Sequence, residues 1–363
     1  FLLMSPVWGA LSDRRGRRPL IIFGLSSFAV STLIFASGAW AGQVGLLPPL
    51  AAIVAMALSR ALFGGLGSAT NPSAQAYVAD RTSPAERTEA LAGLTAAFGL
   101  GGVIGPALAA AFVERIGVAP FMIAVAVIVA LGAFAVRTLL PENTPPKQRQ
   151  RPINPFAQFA FAGDPRLMPF MVYGVLIWLS QASSLQAIGF YVMDRLEADP
   201  SEGLQYAGVA LTAGAGALIF AQLAVIPALK ASPRTLMALG GGLILIGNAE
   251  LVFASNYAAI VFGFLLNSFG FGLARSGFTG GASLSVDPEE QGRAAGLTTA
   301  TAGLGFLVAP VTGLWLYQAV GPQMPFILNT IVAALGAALA LLHPRIRAVV
   351  QIAVHEPAPK DPL

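Results

Sequence analysis

The chain has no cysteine, which excludes disulfides, thiolate metal sites and cysteine nucleophiles. Its two histidines, His343 and His355, both lie close to the C-terminus, leaving zinc or haem ligation without a ligand set. Charge is scarce as well. Asp, Glu, Lys and Arg make up 10% of the 363 residues, against roughly 25% in a soluble domain. No glycine-rich phosphate loop ending in Gly-Lys-Ser/Thr occurs, so an ion gradient rather than ATP is the expected energy source, and no cofactor is expected. What the chain has instead is apolar surface: 56% hydrophobic residues and a mean hydropathy of +0.72. That is the composition of a protein that lives in a lipid bilayer. Its Gly 40 and Pro 26 fit the same reading, because membrane helices tolerate both where neighbouring helices re-satisfy freed backbone groups.

A hydrocarbon core of about 30 Å needs roughly 20 apolar residues as helix. Ten stretches meet this: Pro19 to Trp40, Pro49 to Ala79, Thr88 to Phe112, Ala119 to Leu140, Met168 to Met193, Leu204 to Ala228, Arg234 to Ala254, Tyr257 to Val286, Ala294 to Tyr317 and Met324 to Leu342. The opening stretch Phe1 to Leu11 is about half a span and reads as the inner end of an N-terminally truncated helix. On that reading the 363-residue chain inserts but does not transport, and flux returns when a preceding segment is restored.

Basic residues fall almost entirely in alternate loops. Seventeen lie on one side, from Arg14, Arg15, Arg17 and Arg18 to Arg345, Arg347 and Lys360, against Arg115 and Arg195 on the other. By the positive-inside rule the arginine-rich loops and the C-terminus are cytoplasmic. The net charge of +4 is therefore topology and not a nucleic-acid footprint. Only Arg60 and Arg275 sit inside spans.

The chain also repeats itself. Asp80, Pro84, Glu86, Arg87, Ala92-Gly93, Gly101, Pro106 and Pro120-Phe121 return as Asp287, Pro288, Glu290, Arg293, Ala295-Gly296, Gly305, Pro310 and Pro325-Phe326, at an offset near 204. The fold class that follows is all-α, a polytopic membrane protein of two pseudo-symmetric six-helix halves. Residues 1–140 form the first half, 141–167 a cytoplasmic linker, 168–342 the second half and 343–363 a cytoplasmic tail.

The segment from Gly9 through Asp13, Arg14, Gly16, Arg17 and Arg18 to Leu20 closely resembles the loop between the second and third helices of the major facilitator superfamily. Its chemistry is readable: Gly9 admits a close helix, Asp13 can accept from a helix N-terminus and pair with an arginine, Gly16 suits a tight turn, and Arg17 and Arg18 hold the loop in the cytoplasm. In that family the loop latches the two halves together, with an acid at the end of the fourth helix, here Asp80. Arg60, Gly64, Gly67 and Ala69 resemble the family's second motif, which implies that a buried Arg60 assists proton transfer or is satisfied by carbonyls of the first helix. Gly101, Gly105-Pro106 and flanking Ala92, Ala109 and Ala110 resemble the antiporter motif of the twelve-helix drug:proton antiporters, including tetracycline exporters, with alanine at three of the glycine positions. This implies export, and close packing of the helix that carries it.

Further polar residues at membrane depth are pathway candidates. Asn71-Pro72 and its dyad mate Thr279-Gly280-Gly281 interrupt helices and either free carbonyls for a cavity or only kink them. Gln181, Ser183, Ser184 and Gln186 either bind a ligand or bridge helices. Arg275 lies on a helix that lines the cavity in the family. Glu250 either couples protons, or is an interfacial residue or a partner of Asn248. The resemblance implies proton-coupled efflux of small amphipathic molecules by a monomer in the inner membrane. A nutrient symporter or facilitator of the same fold, and a non-transporting membrane sensor or scaffold, stay open.

Overall fold

The computed structural model describes residues 2–142 and 160–348. These form helices, with no strand among the described residues. In chain order they are α1 (Ser5–Arg15), α2 (Arg17–Gln43), α3 (Pro49–Asp80), α4 (Arg87–Ile116), α5 (Val118–Leu139), α6 (Met168–Leu196), α7 (Gln205–Leu229), α8 (Pro233–Phe253), α9 (Tyr257–Leu284), α10 (Pro288–Ala319) and α11 (Met324–Leu342). Among the described residues nine of them, α2, α3 and α5 to α11, are long and apolar enough to cross a membrane. The tenth expected span lies within the 30-residue α4. The half-span expected over Phe1 to Leu11 runs one turn further, through Asp13 to Arg15. The linker residues 143–159 and the tail beyond 348, with His355 and Lys360, lie outside the described residues.

The chain divides into two units. Unit 1 comprises Phe1–Asp80, Ile104–Phe161 and Pro288–Ala300; unit 2 comprises Arg81–Val103, Ala162–Asp287 and Thr301–Leu363. The starts of α4 and α10, dyad-related in the repeat, thus belong with the opposite half of the sequence.

In unit 1, α2 packs on α3 and α5 through small residues. Ala29, Ala36, Ala52, Ala126 and Ala133 are buried, while Val30, Ile53, Leu58, Ile128, Leu131 and Phe134 are exposed. Large apolar groups outside and small ones inside is the pattern of helices solvated by lipid, where close backbone approach supplies the packing. The Ser31 hydroxyl donates to the Ser59 carbonyl at 2.6 Å, tying α2 to α3.

In unit 2, α8 and α9 meet along a glycine seam. A Cβ on Gly240 would sit 2.6 Å from the Gly270 carbonyl oxygen, one on Gly247 2.6 Å from that of Gly263, and one on Gly277 2.6 Å from that of Pro233. Each step of seven residues along α8 matches seven the other way along α9. Seven residues are close to two turns, so the glycines of each helix line one face and the antiparallel backbones touch. Tyr173 and Tyr191 of α6 anchor to the same pair: their hydroxyls donate to the Met237 and Leu251 carbonyls of α8 at 2.6 and 2.5 Å, so both buried phenols are satisfied.

Three spans contain irregular turns. Gly67–Ala69 of α3 is a 3₁₀ turn, and Ala221–Val225 of α7 and Pro310–Trp315 of α10 are π turns. The interruption expected at Asn71-Pro72 therefore lies upstream of the proline. A proline ring clashes with the carbonyl four residues back, here Ser68, so the strain is released there. The Gly65 carbonyl then accepts from Trp8 Nε1 at 2.6 Å and from Ser68 Oγ at 3.0 Å. The dyad mate behaves differently: α9 runs unbroken through Thr279, Gly280 and Gly281. There a Cβ on Gly280 would overlap Thr88 and one on Gly281 would overlap the Phe170 ring, so these glycines serve close packing and not a break.

Candidate functional site

The corner between α1 and α2 in unit 1 gathers a cluster of charge-assisted contacts. Gly16 turns the chain at φ 92°, ψ 157°, a conformation that only glycine adopts without strain. The turn brings Arg17, the first residue of α2, back over the end of α1. Arg17 is only 2% exposed, a buried hub that pairs with Asp13 and Asp80 as the sequence led one to expect. Its Nη1 lies 2.5 Å from Asp13 Oδ1 and its Nε donates to Asp80 Oδ2 at 2.9 Å. Nη1 also donates to Ser12 Oγ at 2.8 Å, and that hydroxyl donates to the Gly9 carbonyl at 2.7 Å.

Asp13 uses its remaining lone pairs on α10. Gly292 N donates to Oδ1 at 2.8 Å and Arg293 N to Oδ2 at 3.1 Å. Both belong to the first turn of the helical stretch Gln291–Ala309, where orphan N–H groups and the helix dipole favour a carboxylate. Burial pushes the Asp13 carboxyl above the ordinary carboxylate range, against the pull of Arg17 and the two backbone N–H groups.

Glycines make this approach possible. A Cβ on Gly9 would overlap the Gly292 carbonyl, and one on Gly296 would lie 2.6 Å from the Ser5 carbonyl oxygen and 2.7 Å from Pro6 Cα. Gly292 and Gly296 form a Gly-x₃-Gly pair whose grooved face receives α1. The spacing was available in the sequence as the receiving surface for Gly9, but the sequence reading used Gly296 only as part of the repeat. Ser12 and Trp8 were likewise missed.

Arg14 is half-buried at the same corner. The Arg18 side chain reaches the Arg137 carbonyl, and its backbone N–H donates to Glu142 Oε2 at 2.8 Å. Tyr77 also donates to the Pro141 carbonyl at 3.1 Å. The first linker residues are therefore clamped beside the corner, with Glu142 supplying the N-terminal cap that Gly16 cannot give α2.

The intramembrane candidates are divided between the two units. Arg60 is exposed and not buried as its motif suggests. Its Nη2 donates to Ser31 at 3.1 Å and its guanidinium stands 4.9 Å from the Phe35 ring centroid and 5.9 Å from that of Phe63. Asn71 accepts from Gln75 Nε2 at 3.0 Å, and Gln75 in turn accepts from Thr298 at 3.3 Å. A Cβ at Gly101 or Gly105 would meet no described atom within 4 Å, so these glycines mark no close helix contact among the described residues. Pro106 lies within the continuous α4.

In unit 2, Gln181 is the end of a buried amide chain. Its Oε1 accepts from Asn267 at 3.2 Å, Asn267 accepts from Asn248 at 2.8 Å, Asn248 accepts from Ser184 at 3.2 Å, and Ser184 accepts from Asn329 at 2.9 Å. This joins α6, α8, α9 and α11. Asn248 thus has partners other than the half-buried Glu250, and Gln186 is half-buried against Gly313. Arg275 of α9 stands 5.1 Å from the Trp178 ring centroid.

Comparison with known proteins fits this architecture. The profile of the Major Facilitator Superfamily matches residues 1–249 and 227–361. The chain is similar to Multidrug resistance protein 1 of Bacillus subtilis, 26% identical over 94% of this chain and 83% of that protein. It is also similar to the class C tetracycline resistance protein of Escherichia coli, 30% identical over 44% of this chain and 38% of that protein. Among solved structures, the human organic anion transporter MFSD10 (TETRAN) superposes with a TM-score of 0.77 at 21% identity, over 93% of this chain and 80% of that one. The fold likeness extends to FucP in its outward conformation, with a TM-score of 0.71 at 13% identity over 94% and 86%.

Proposed function

The chain belongs to the Major Facilitator Superfamily, and from that premise we propose that it is a proton-coupled exporter of small amphipathic molecules, acting by alternating access. Membership in a transporter family with multidrug and tetracycline resistance proteins among its relatives supports export over import. It acts as a monomer in the inner membrane, with the arginine-rich loops and the C-terminal tail in the cytoplasm, as the seventeen-to-two asymmetry of basic residues argues.

The observation that carries the reading is the Asp13–Arg17–Asp80 cluster, built on the buried Arg17 and seated on the first turn of the Gln291–Ala309 helix. Buried ions are costly to hold and costly to separate. Such an arrangement suits a latch that is strong when engaged yet released as a unit, because one carboxylate accepts two hydrogen bonds from α10. The gradient that drives release is worth about 2.3 kcal/mol per elementary charge per 100 mV, with any pH difference added.

The test is flux in proteoliposomes holding the full-length protein under an imposed proton gradient, with cationic, neutral and anionic amphiphiles as cargo. Movement of cargo against the direction of proton flow, collapsed by a protonophore, is the expected result. Cargo that moves with the protons would make the protein a symporter, and equilibration indifferent to the gradient would make it a facilitator.

A further inference from the structure

Among the described residues the second intramembrane arginine has no counter-charge. Arg275 is half-buried, nine residues before the end of α9, about 14 Å along the helix. Among the described residues its side chain forms no ion pair, and its contact is the face of Trp178 at 5.1 Å. Trp178 in turn stands edge-on to Phe271 at 4.9 Å and tilted against Phe306 at 5.9 Å. Phe271 is one turn before Arg275 on the same face of α9. The indole is held in place, since a Cβ on Gly305 would lie 2.8 Å from Trp178 Cβ.

The sequence offers no acid nearby. No Asp or Glu occurs in residues 168–193, 257–284, 291–319 or 324–342, which are the α6, α9, α10 and α11 segments at membrane depth. A cation–π contact offsets only part of the cost of a guanidinium there. The remaining donors of the guanidinium fork are matched by carboxylate, sulfonate or phosphate oxygens, which it can hold in bidentate fashion.

We propose that Arg275, with Trp178, Phe271 and Phe306, forms a binding site for an organic anion with an aromatic or apolar body, the anionic group on the guanidinium and the body on the rings. This deepens the exporter reading, on which it rests for its purpose, by naming the charge class of the cargo.

The experiment uses the full chain in nanodiscs of phosphatidylcholine, without anionic lipid, and compares binding of 2-naphthoate, 2-naphthamide and 2-naphthylmethylammonium by calorimetry. The naphthoate should bind at least about ten-fold more tightly than the other two. Arg275→Gln should remove that preference, and Arg275→Lys should keep part of it. Adding phosphatidylglycerol to the nanodiscs should leave naphthoate affinity intact; competition by the lipid would reassign the site to a lipid phosphate and overturn a soluble cargo. Equal affinity for the three probes on the unmodified protein, which needs no variant to fold, would overturn the proposal, as would undiminished naphthoate affinity in Arg275→Gln. If the naphthoate binds with this preference but nothing is moved by a proton gradient, the exporter reading fails and the site stands. Gradient-driven flux of neutral or cationic cargo without naphthoate binding has the reverse meaning.

Discussion

Two polar networks hold this protein together, one centred on buried Arg17 and one buried throughout, and they are made of different chemistry. In unit 1, Asp13, Arg17 and Asp80 are ions; in unit 2, Gln181, Ser184, Asn248, Asn267 and Asn329 are neutral. Depth explains the difference. The ions sit at helix ends beside the arginine-rich corner, where helix N–H groups can share the charge. The amides sit in the middle of their spans, where an ionised group would cost several kcal/mol and a neutral hydrogen bond stabilises only modestly. The consequence is a division of labour: a charged network can be switched by a proton or a potential, whereas the amide chain has no charge state to change.

The most severe break of this contrast is Asp13→Asn. It leaves Arg17 buried with half its counter-charge and gives two helix N–H groups a weaker acceptor, a loss of about 3 kcal/mol or more. Proteoliposome flux should fall at least ten-fold while membrane insertion stays near normal. Unchanged flux would reduce the corner to a folded turn.

Gly296→Val comes next. Its new side chain would press on the Ser5 carbonyl and Pro6, and such overpacking costs about 1 to 3 kcal/mol. Flux and thermal stability should fall together, whereas Asp13→Asn lowers flux first.

In unit 2, Asn248→Leu leaves Asn267 and Ser184 each short of one partner, a loss of about 1 kcal/mol given how modest interhelical hydrogen bonds are in lipid. Melting temperature should drop slightly with flux per folded molecule unchanged. A flux defect as large as that of Asp13→Asn would erase the proposed division between a static and a switched network.

The smallest effect concerns Asp164, a half-buried acid shifted the opposite way from Asp13. Hydrogen bonds from the Arg166 side chain hold Asp164 below the usual carboxylate range, so its contribution is present above the ordinary value near 3.8 and lost as pH falls through the depressed one. Acidification should slightly lower the hydrogen-exchange protection factor, measured against the intrinsic rate at each pH, of Met168 N, which donates to the Asp164 carbonyl. Asp164→Asn should abolish that pH dependence.

The sequence made some of this legible and hid the rest for identifiable reasons. Hydropathy alone located the spans to within a few residues, since Met324–Leu342 matches its expectation at both ends, because long apolar runs have one stable disposition in a bilayer. The corner residues Gly9 to Arg18 were readable because their chemistry is local in the chain. The burial of Arg17 was not, because it depends on Asp80 and α10. The break at Gly67–Ala69 was misplaced because a proline acts on the carbonyl a turn behind it. Gln181 looked like a ligand group because a sequence cannot say whether an amide faces a cavity or another amide. The seven-residue glycine spacing of α8 and α9 was in plain view, yet its meaning requires knowing that these two helices are neighbours.

The π turns in α7 and α10 bear on how the protein tolerates change in length. A π turn houses one residue more than an α turn, so it amounts to an insertion that the helix absorbed. Deleting one residue within Ala221–Val225 can return the segment to regular α-helix with both flanks still facing as before. The same deletion inside Met324–Leu342 would rotate every following side chain by about 100° and turn buried Ala333, Gly336 and Ala340 away from their neighbours. Single-residue deletions scanned along these spans should therefore find their tolerated positions at the two π turns.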